Sequence, residues 1–279
     1  THELPDTLGI RKDLAASPYF HTAYKLIHKN KDIQLIIIQG ESLTFHHMHL
    51  YGYERRNTPF LSKLASKKFV RVYKGVPLGP ATDVTLPEFY NLIPHPNGIN
   101  QMLSGRTNLF KMAKTNNFIT TFISTQSSFS LRYINNYLGL QYIDNYGTSS
   151  FFGGDSSDKI DDDKQHGSIK DFALVDYLGS NVDFSKNNFL VLHMIGSHSP
   201  YKARYPEDGF DFYKNQPGDN FRQKQINEYD NSVRYTDYII QKIYKYIKAH
   251  THRPTYIVFT SDHGEGLGEQ NGYFSHGNN

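Results

Sequence analysis

The sequence predicts an α/β domain with a mixed, mostly parallel central sheet and helices on both faces. Short, β-branched, nearly continuous apolar runs alternate with helical patterns along the chain. The runs lack polar alternation, as strands covered on both faces do. Several lead straight into polar, glycine-flanked turns, and ligands of open α/β sheets bind at such carboxyl ends.

Ile33–Gln39 (IQLIIIQ) is the first expected strand, followed by Phe69–Tyr73, Phe118–Ile123, Asn188–Met194 and Thr255–Thr260. Between them, helices are expected at Thr58–Ser66, Thr82–Leu92, Asn108–Lys114, Asp171–Leu178 and, longest, Phe221–Ala249. Tyr229, Tyr235, Tyr238 and Tyr244 of the long helix are assigned to packing. The polar stretch Gly153–Gly167 is expected to be a surface loop. It lacks the ligand order of a calcium loop and is assigned no metal. No internal repeat is visible, so residues 1–279 are taken as one domain.

The composition narrows the chemistry. With 279 residues and 38% hydrophobic content the chain can bury a sizeable core. It has no cysteine, which excludes disulfide scaffolds, thiolate-bound zinc, iron–sulfur clusters and thiol catalysis. A net charge of +3 is too mild to suggest nucleic acid. Arg55, Arg56, Lys63, Lys67, Lys68, Arg71 and Lys74 nevertheless fall in a stretch without an acid. That stretch is either a solvated basic face or a surface attracted to anionic lipid or phosphate. The longest aliphatic run, Leu35 to Ile38, is far too short to span a bilayer.

The strand ends carry the chemistry. The first strand enters Gly40-Glu41-Ser42, and the fourth leads to Gly196-Ser197-His198-Ser199-Pro200. The last ends in Ser261-Asp262-His263-Gly264-Glu265, with Ser275-His276-Gly277 close behind. Each is a metal-capable side chain on a tight turn, and Glu, Asp and His ligands suit Zn²⁺ or Mn²⁺. One such turn would be weak evidence; three at strand ends together point to a site. His46, His47 and His49 are different: on a helix only His46 and His49 share a face, so they are read as a solvated helix face.

SDHGEGLGE followed by SHG resembles the C-terminal metal motif of the alkaline phosphatase superfamily. Within it, the chain resembles the phosphoethanolamine transferases that modify lipid A and lipopolysaccharide core. IIIQGESLTFHHMHLYGYERRNTPFL is similar to their first motif, VLHMIGSHSPYKARYP to their central histidine motif, and INEYDNSVRYTDYII to the helix before the last metal strand. The matches run in family order from about residue 30 to 277.

This resemblance implies an alkaline phosphatase/sulfatase-like fold and a zinc-dependent transfer of phosphoethanolamine from phosphatidylethanolamine to lipid A or a core sugar. GPATDVTLP is similar to the family's nucleophile segment, implying Thr82 as nucleophile with Thr85 as competitor. Thr82 also stands where a helix begins, where backbone N–H groups favour an alkoxide and an incoming phosphate. The implied zinc ligands are Glu41, Asp262, His263 and Thr82, for one tight site. His198 and His276 are implied to bind the transferred phosphoryl group, to protonate a leaving alcohol or to hold a second, weaker metal. Gln126 and Ser128 are either substrate contacts or a plain turn.

The resemblance further implies the periplasmic domain of a Gram-negative inner-membrane protein that works at a membrane surface. The chain is expected to be excised from its membrane anchor and shortened after His276-Gly277-Asn278-Asn279. A sulfatase proper would need Cys or Ser in a Cys/Ser-x-Pro-x-Arg setting, which neither threonine has. A phosphoglycerol transferase shares the threonine and stays open, as does a catalytically silent binding ectodomain. Many relatives brace this domain with disulfides; without cysteine, packing and metal must hold its loops.

Overall fold

The computed structural model describes residues 32–93, 101–102, 105, 107–153, 171–269 and 272–276. Beyond Gly153, the expected 153–167 loop lies outside them. Strands β1 (Gln34–Gly40), β2 (Ile119–Ser124), β3 (Asn145–Gly147), β4 (Asn188–His193) and β5 (Thr255–Ser261) form one sheet in the order β3-β2-β4-β1-β5. All four neighbouring pairs are parallel. Antiparallel pairing among the described residues is confined to a separate ribbon, β6 (Gly266–Leu267) with β7 (Phe274–Ser275).

The period of two in a strand sends alternate residues to opposite faces, and this divides the core. Ile36 and Ile38 of β1, with Leu190 and Leu192 of β4, face one cluster. Ile37, Phe189 and Val191 face the other. The first cluster is closed by α5 (Ala173–Asn181) and the thirty-residue α6 (Phe221–His250). Val233, Ile240, Ile243 and Ile247 recur on α6 at helical spacing and are buried there. The second is closed by α2 (Thr82–Tyr90), α3 (Leu109–Thr115) and the short α4 (Asn135–Leu138), through Leu86, Tyr90, Phe110 and Leu138. Helices therefore cover both faces, as expected, except along the outer strand β5, where Tyr256 and Val258 stand exposed. Asn220 and Asn108 cap α6 and α3, accepting hydrogen bonds from Gln223 N and Lys111 N.

The tyrosines of α6 pack: Tyr229 and Tyr235 are buried, and the Tyr244 ring lies 5.6 Å from Phe60 on α1 (Pro59–Ala65). Two expectations are corrected. Phe69–Tyr73 forms no strand; among the described residues it has no sheet neighbour, and Phe69 and Tyr73 stand in solvent. His46–His49 is no solvated helix face, because two 3₁₀ turns, Phe45–His47 and His49–Tyr51, turn His47 inward against α6.

Register positions the site. Gly40 pairs with Ser261 across β1 and β5, and Gln39 with His193 across β1 and β4. The next residues along, Glu41 and Asp262, consequently emerge side by side at the carboxyl edge.

Candidate active site

Glu41 leaves β1 on a turn that the backbone does not adopt freely. Ser42 has φ +56°, a left-handed conformation that costs a residue with a Cβ. Tyr229 on α6 holds that turn from both sides: its hydroxyl donates to Ser42 O at 2.6 Å and accepts from Thr44 N at 3.0 Å. Ser42 N donates to Asp262 Oδ1 at 3.1 Å, and Ser42 Oγ donates to Glu41 Oε1 at 2.8 Å. Gly196 passes so close that a Cβ there would lie 2.8 Å from Glu41 N. Only glycine fits that approach.

Asp262 and His263 follow β5 directly. His263 Nδ1 is 2.8 Å from Gly264 O, a bond it makes by donating, so Nε2 points at the carboxylates. Nε2 lies 3.1 Å from Glu41 Oε1 and 3.3 Å from Asp262 Oδ2. Burial pushes the Glu41 carboxyl up, but the hydrogen bond and charge of His263 outweigh it and hold it well below the usual range. Burial, then the neighbouring Glu41 charge, pushes Asp262 well above its own. Burial draws His263 down, yet its bond to Glu41 and the charges of Asp262 and Glu41 lift it to about 9.

Thr82 closes the cluster as the first residue of α2. Its Oγ1 is 3.0 Å from Glu41 Oε2, 2.7 Å from Asp262 Oδ2 and 3.3 Å from His263 Nε2. A hydroxyl has one proton, so the two carboxylates compete for it. Thr85 does not share this position; its hydroxyl donates to Gly79 O at 3.0 Å. The ligand atoms of Glu41, Asp262 and His263 lie within 4.8 Å of one another. Two buried carboxylates beside an imidazole hold protons that a divalent cation would displace, so the donor set fits zinc.

His276 lies beside this cluster, with its ring centre 4.5 Å from that of His263 and 6.1 Å from that of His198. Its Nδ1 is 3.5 Å from Glu265 Oε2, and the two atoms are buried without a hydrogen-bond partner. His263, Glu265 and His276 form a second group that could hold a metal. His198 sits on a turn fixed by buried charges: Asp171 accepts from Ile195 N and Gly196 N, and Arg204 donates to the carbonyls of His198 and Ser199. Thr82, Gln126, Ser130, His198 and His276 line a cavity of about 270 Å³.

Gln126 plays a part that its sequence position does not disclose. Its Nε2 donates to Glu41 Oε2 at 2.9 Å, so it touches both carboxylate and cavity. Ser128 is exposed and does not line the cavity; Phe129 and Ser130 do. Sequence reasoning passed over His193, which ends the apolar run of β4. It is buried, its Nδ1 is 2.8 Å from Ser124 Oγ, and burial lowers it to about 4, leaving it neutral.

Sequence reasoning also passed over the strut around Asp230, a fully buried carboxylate on α6. Asp230 meets His47 Nδ1 at 3.2 Å and accepts from Tyr53 and Arg55 at 2.9 and 2.8 Å. The other His47 nitrogen is 3.0 Å from Glu269 Oε1. The strut ties the loop after β1 to the segment carrying Asp262, His263 and Glu265. An acid on the buried stripe of α6 was the available signal.

Residues 34–279 match the sulfatase family model. A Kdo(2)-lipid A phosphoethanolamine 7''-transferase of Escherichia coli (strain K12) is 26% identical over 246 residues, 86% of this chain. Phosphoethanolamine transferase EptA of Salmonella typhimurium is 42% identical over 121 residues, 40% of this chain and 21% of that protein. This chain spans 40% of the length of the first of these relatives. The C-terminal periplasmic domain of EptC from Escherichia coli, solved in complex with zinc, superposes with a TM-score of 0.71. The superposition covers 89% of this chain and 69% of that one at 22% identity, which shows a shared fold.

Proposed function

The chain belongs to the sulfatase family, and on that premise we propose that it is the catalytic domain of a phosphoethanolamine transferase. The donor is phosphatidylethanolamine and the acceptor is lipid A or a core sugar of lipopolysaccharide. The setting is the periplasmic side of a Gram-negative inner membrane. The observation that carries this reading is the Thr82 hydroxyl, within 3.3 Å of Glu41, Asp262 and His263 at the start of a helix. The names of the relatives supply the group transferred.

Glu41, Asp262, His263 and Thr82 would hold one tight zinc, which leaves Glu265 and His276 for a second, weaker ion. Bound zinc would lower the hydroxyl pKa of Thr82 and neutralise charge on the phosphate. Thr82 gives its proton to the Glu41–Asp262 carboxylate pair as its Oγ attacks phosphorus, and the bond from phosphorus to the diacylglycerol oxygen breaks. His198 or His276 gives that oxygen a proton, leaving phosphoethanolamine on Thr82. The acceptor oxygen then attacks the same phosphorus and gives its proton to the histidine, while the bond from phosphorus to Thr82 Oγ breaks and Thr82 takes its own proton back from the carboxylate pair. N–H groups in the first turn of α2 receive the phosphate oxygens. Gln126 keeps Glu41 oriented from the cavity side.

Intact-mass spectrometry after incubation with phosphatidylethanolamine tests this. A phosphoethanolamine adduct on the wild type, absent from Thr82→Ala, is expected. A phosphoglycerol adduct from phosphatidylglycerol instead would identify the rival transferase. Failure to form any adduct with zinc bound would leave a silent binding domain.

A further inference from the structure

Between the end of α1 and Thr82 the chain leaves an apolar sequence in water. Residues 66–78 are all exposed except the half-buried Val70. Phe69 is 72% exposed, Tyr73 77% and Val76 89%. Val72 and Leu78 are also exposed. Such side chains are ordinarily covered, and a contiguous cluster marks a surface that meets something.

Charge identifies the partner. Lys67, Lys68, Arg71 and Lys74 interleave with these apolar residues, and no acid occurs from Arg55 through Thr82. The backbone is tacked down while the side chains face out. Tyr51 donates to Tyr73 O at 2.9 Å, and Arg71 donates to the carbonyls of Lys68 and Val70. The Lys74 ammonium stands 5.0 Å over the Phe45 ring. An apolar protein partner would not call for four cations without an acid. A surface of anionic headgroups above an acyl boundary calls for both kinds of residue.

The strap also leads to the site. Gly79 turns tightly against Val84, where a Cβ would come within 2.6 Å of Val84 Cγ1, and Thr82 follows three residues later. Val84, against which Gly79 turns, and Tyr133 are exposed as well, and Tyr133 lines the cavity. We propose that residues 67–78 dock this domain on an anionic lipid bilayer. Lys67, Lys68, Arg71 and Lys74 meet headgroup phosphates, while Phe69, Val72, Tyr73 and Val76 enter the interface. The docking deepens the transfer function proposed above, and rests on it for the lipid donor that the cavity would receive.

Co-sedimentation with vesicles of phosphatidylglycerol and phosphatidylethanolamine, against vesicles of phosphatidylcholine, tests the docking. The wild type is expected to pellet with the former, less as salt rises, and only weakly with the latter. Two double variants, Lys67→Glu with Lys68→Glu and Phe69→Ser with Tyr73→Ser, should each lose about tenfold or more in vesicle affinity. Their melting curves, and their adduct formation on a water-soluble short-chain phosphatidylethanolamine, should match the wild type. Variants that pellet like the wild type, or a wild type that ignores anionic vesicles, would overturn the docking. So would self-association without vesicles that Phe69→Ser with Tyr73→Ser abolishes, since the surface would then belong to a second copy. A wild type that pellets but forms no adduct on the soluble donor retains the docking and loses the transferase reading.

Discussion

Thr82 Oγ1 and Asp262 Oδ2 lie 2.7 Å apart, although 180 residues separate them in the chain. A helix start and a strand end meet there, and each supplies what the other lacks. The helix brings a hydroxyl and the positive end of its dipole; the strand brings a carboxylate beside an imidazole.

Replacing Thr82 should therefore separate chemistry from folding. Thr82→Ala is expected to lower transfer by about a thousandfold or more, the scale of losing a nucleophile. Its melting temperature should stay close to the wild type, because the residue is only half-buried. Thr82→Ser should retain measurable transfer. Steady-state transfer assays with parallel melting curves check both.

Zinc should stabilise the fold. Glu41 and Asp262 are buried side by side, and an ion bound only by the folded state raises stability by mass action. Excess chelator is expected to lower the melting temperature and added zinc to restore it. An unchanged melting curve in chelator would remove the claim.

The strut at His47 should give stability a dependence on pH. Burial draws its pKa down, but the hydrogen bonds and charges of Asp230 and Glu269 raise it above the ordinary value of 6.5. A raised histidine pKa means that the native state holds the proton more tightly. The resulting stability is complete below the unfolded value and is lost as pH rises through the folded one. The stability gap between wild type and His47→Gln should therefore narrow as pH rises from about 6.5. Denaturant unfolding at several pH values measures that gap.

Tyr229→Phe removes one oxygen from a buried place. Ser42 O loses its donor and Thr44 N its acceptor. Leaving such groups unsatisfied should cost about 1–3 kcal/mol. Because the turn orients Glu41, zinc affinity should fall as well. Calorimetric zinc titration beside denaturant unfolding distinguishes this from a purely structural loss.

Gly196→Ala should be more damaging than its one added methyl suggests. The position has φ +53°, and the methyl would lie 2.8 and 2.9 Å from Glu41 N and O. Strain of about 1–3 kcal/mol would fall on the turn that presents Glu41. A fall in melting temperature together with weaker zinc binding is the expected result.

Four of the five sheet strands and the main helices were legible because each buries an apolar pattern of recognisable period. Glu41 was legible because it directly follows the buried run of β1, and Asp262 and His263 because they follow the apolar, half-exposed run of β5. Phe69–Tyr73 misled for the same reason: it has strand composition, but a strand needs a neighbour, and among the described residues it has none. The 145–147 strand is too short and polar to announce itself. Sequence spacing does not distinguish Ser128 from Gln126, because it does not say which side chain of a turn faces inward.

The α/β class and the metal-capable side chains at the strand ends were determined by the chain alone, since local period and residue chemistry carry them; the ligand set is what the family resemblance implies. Tertiary structure decided the rest. It set the Thr82 hydroxyl, and not that of Thr85, beside Glu41 and Asp262, turned Gln126 onto Glu41, and converted His47 from an expected surface residue into a buried link between Asp230 and Glu269. These choices depend on which distant groups share a few ångströms. Parallel register and helix packing set those distances, and local sequence patterns do not encode them.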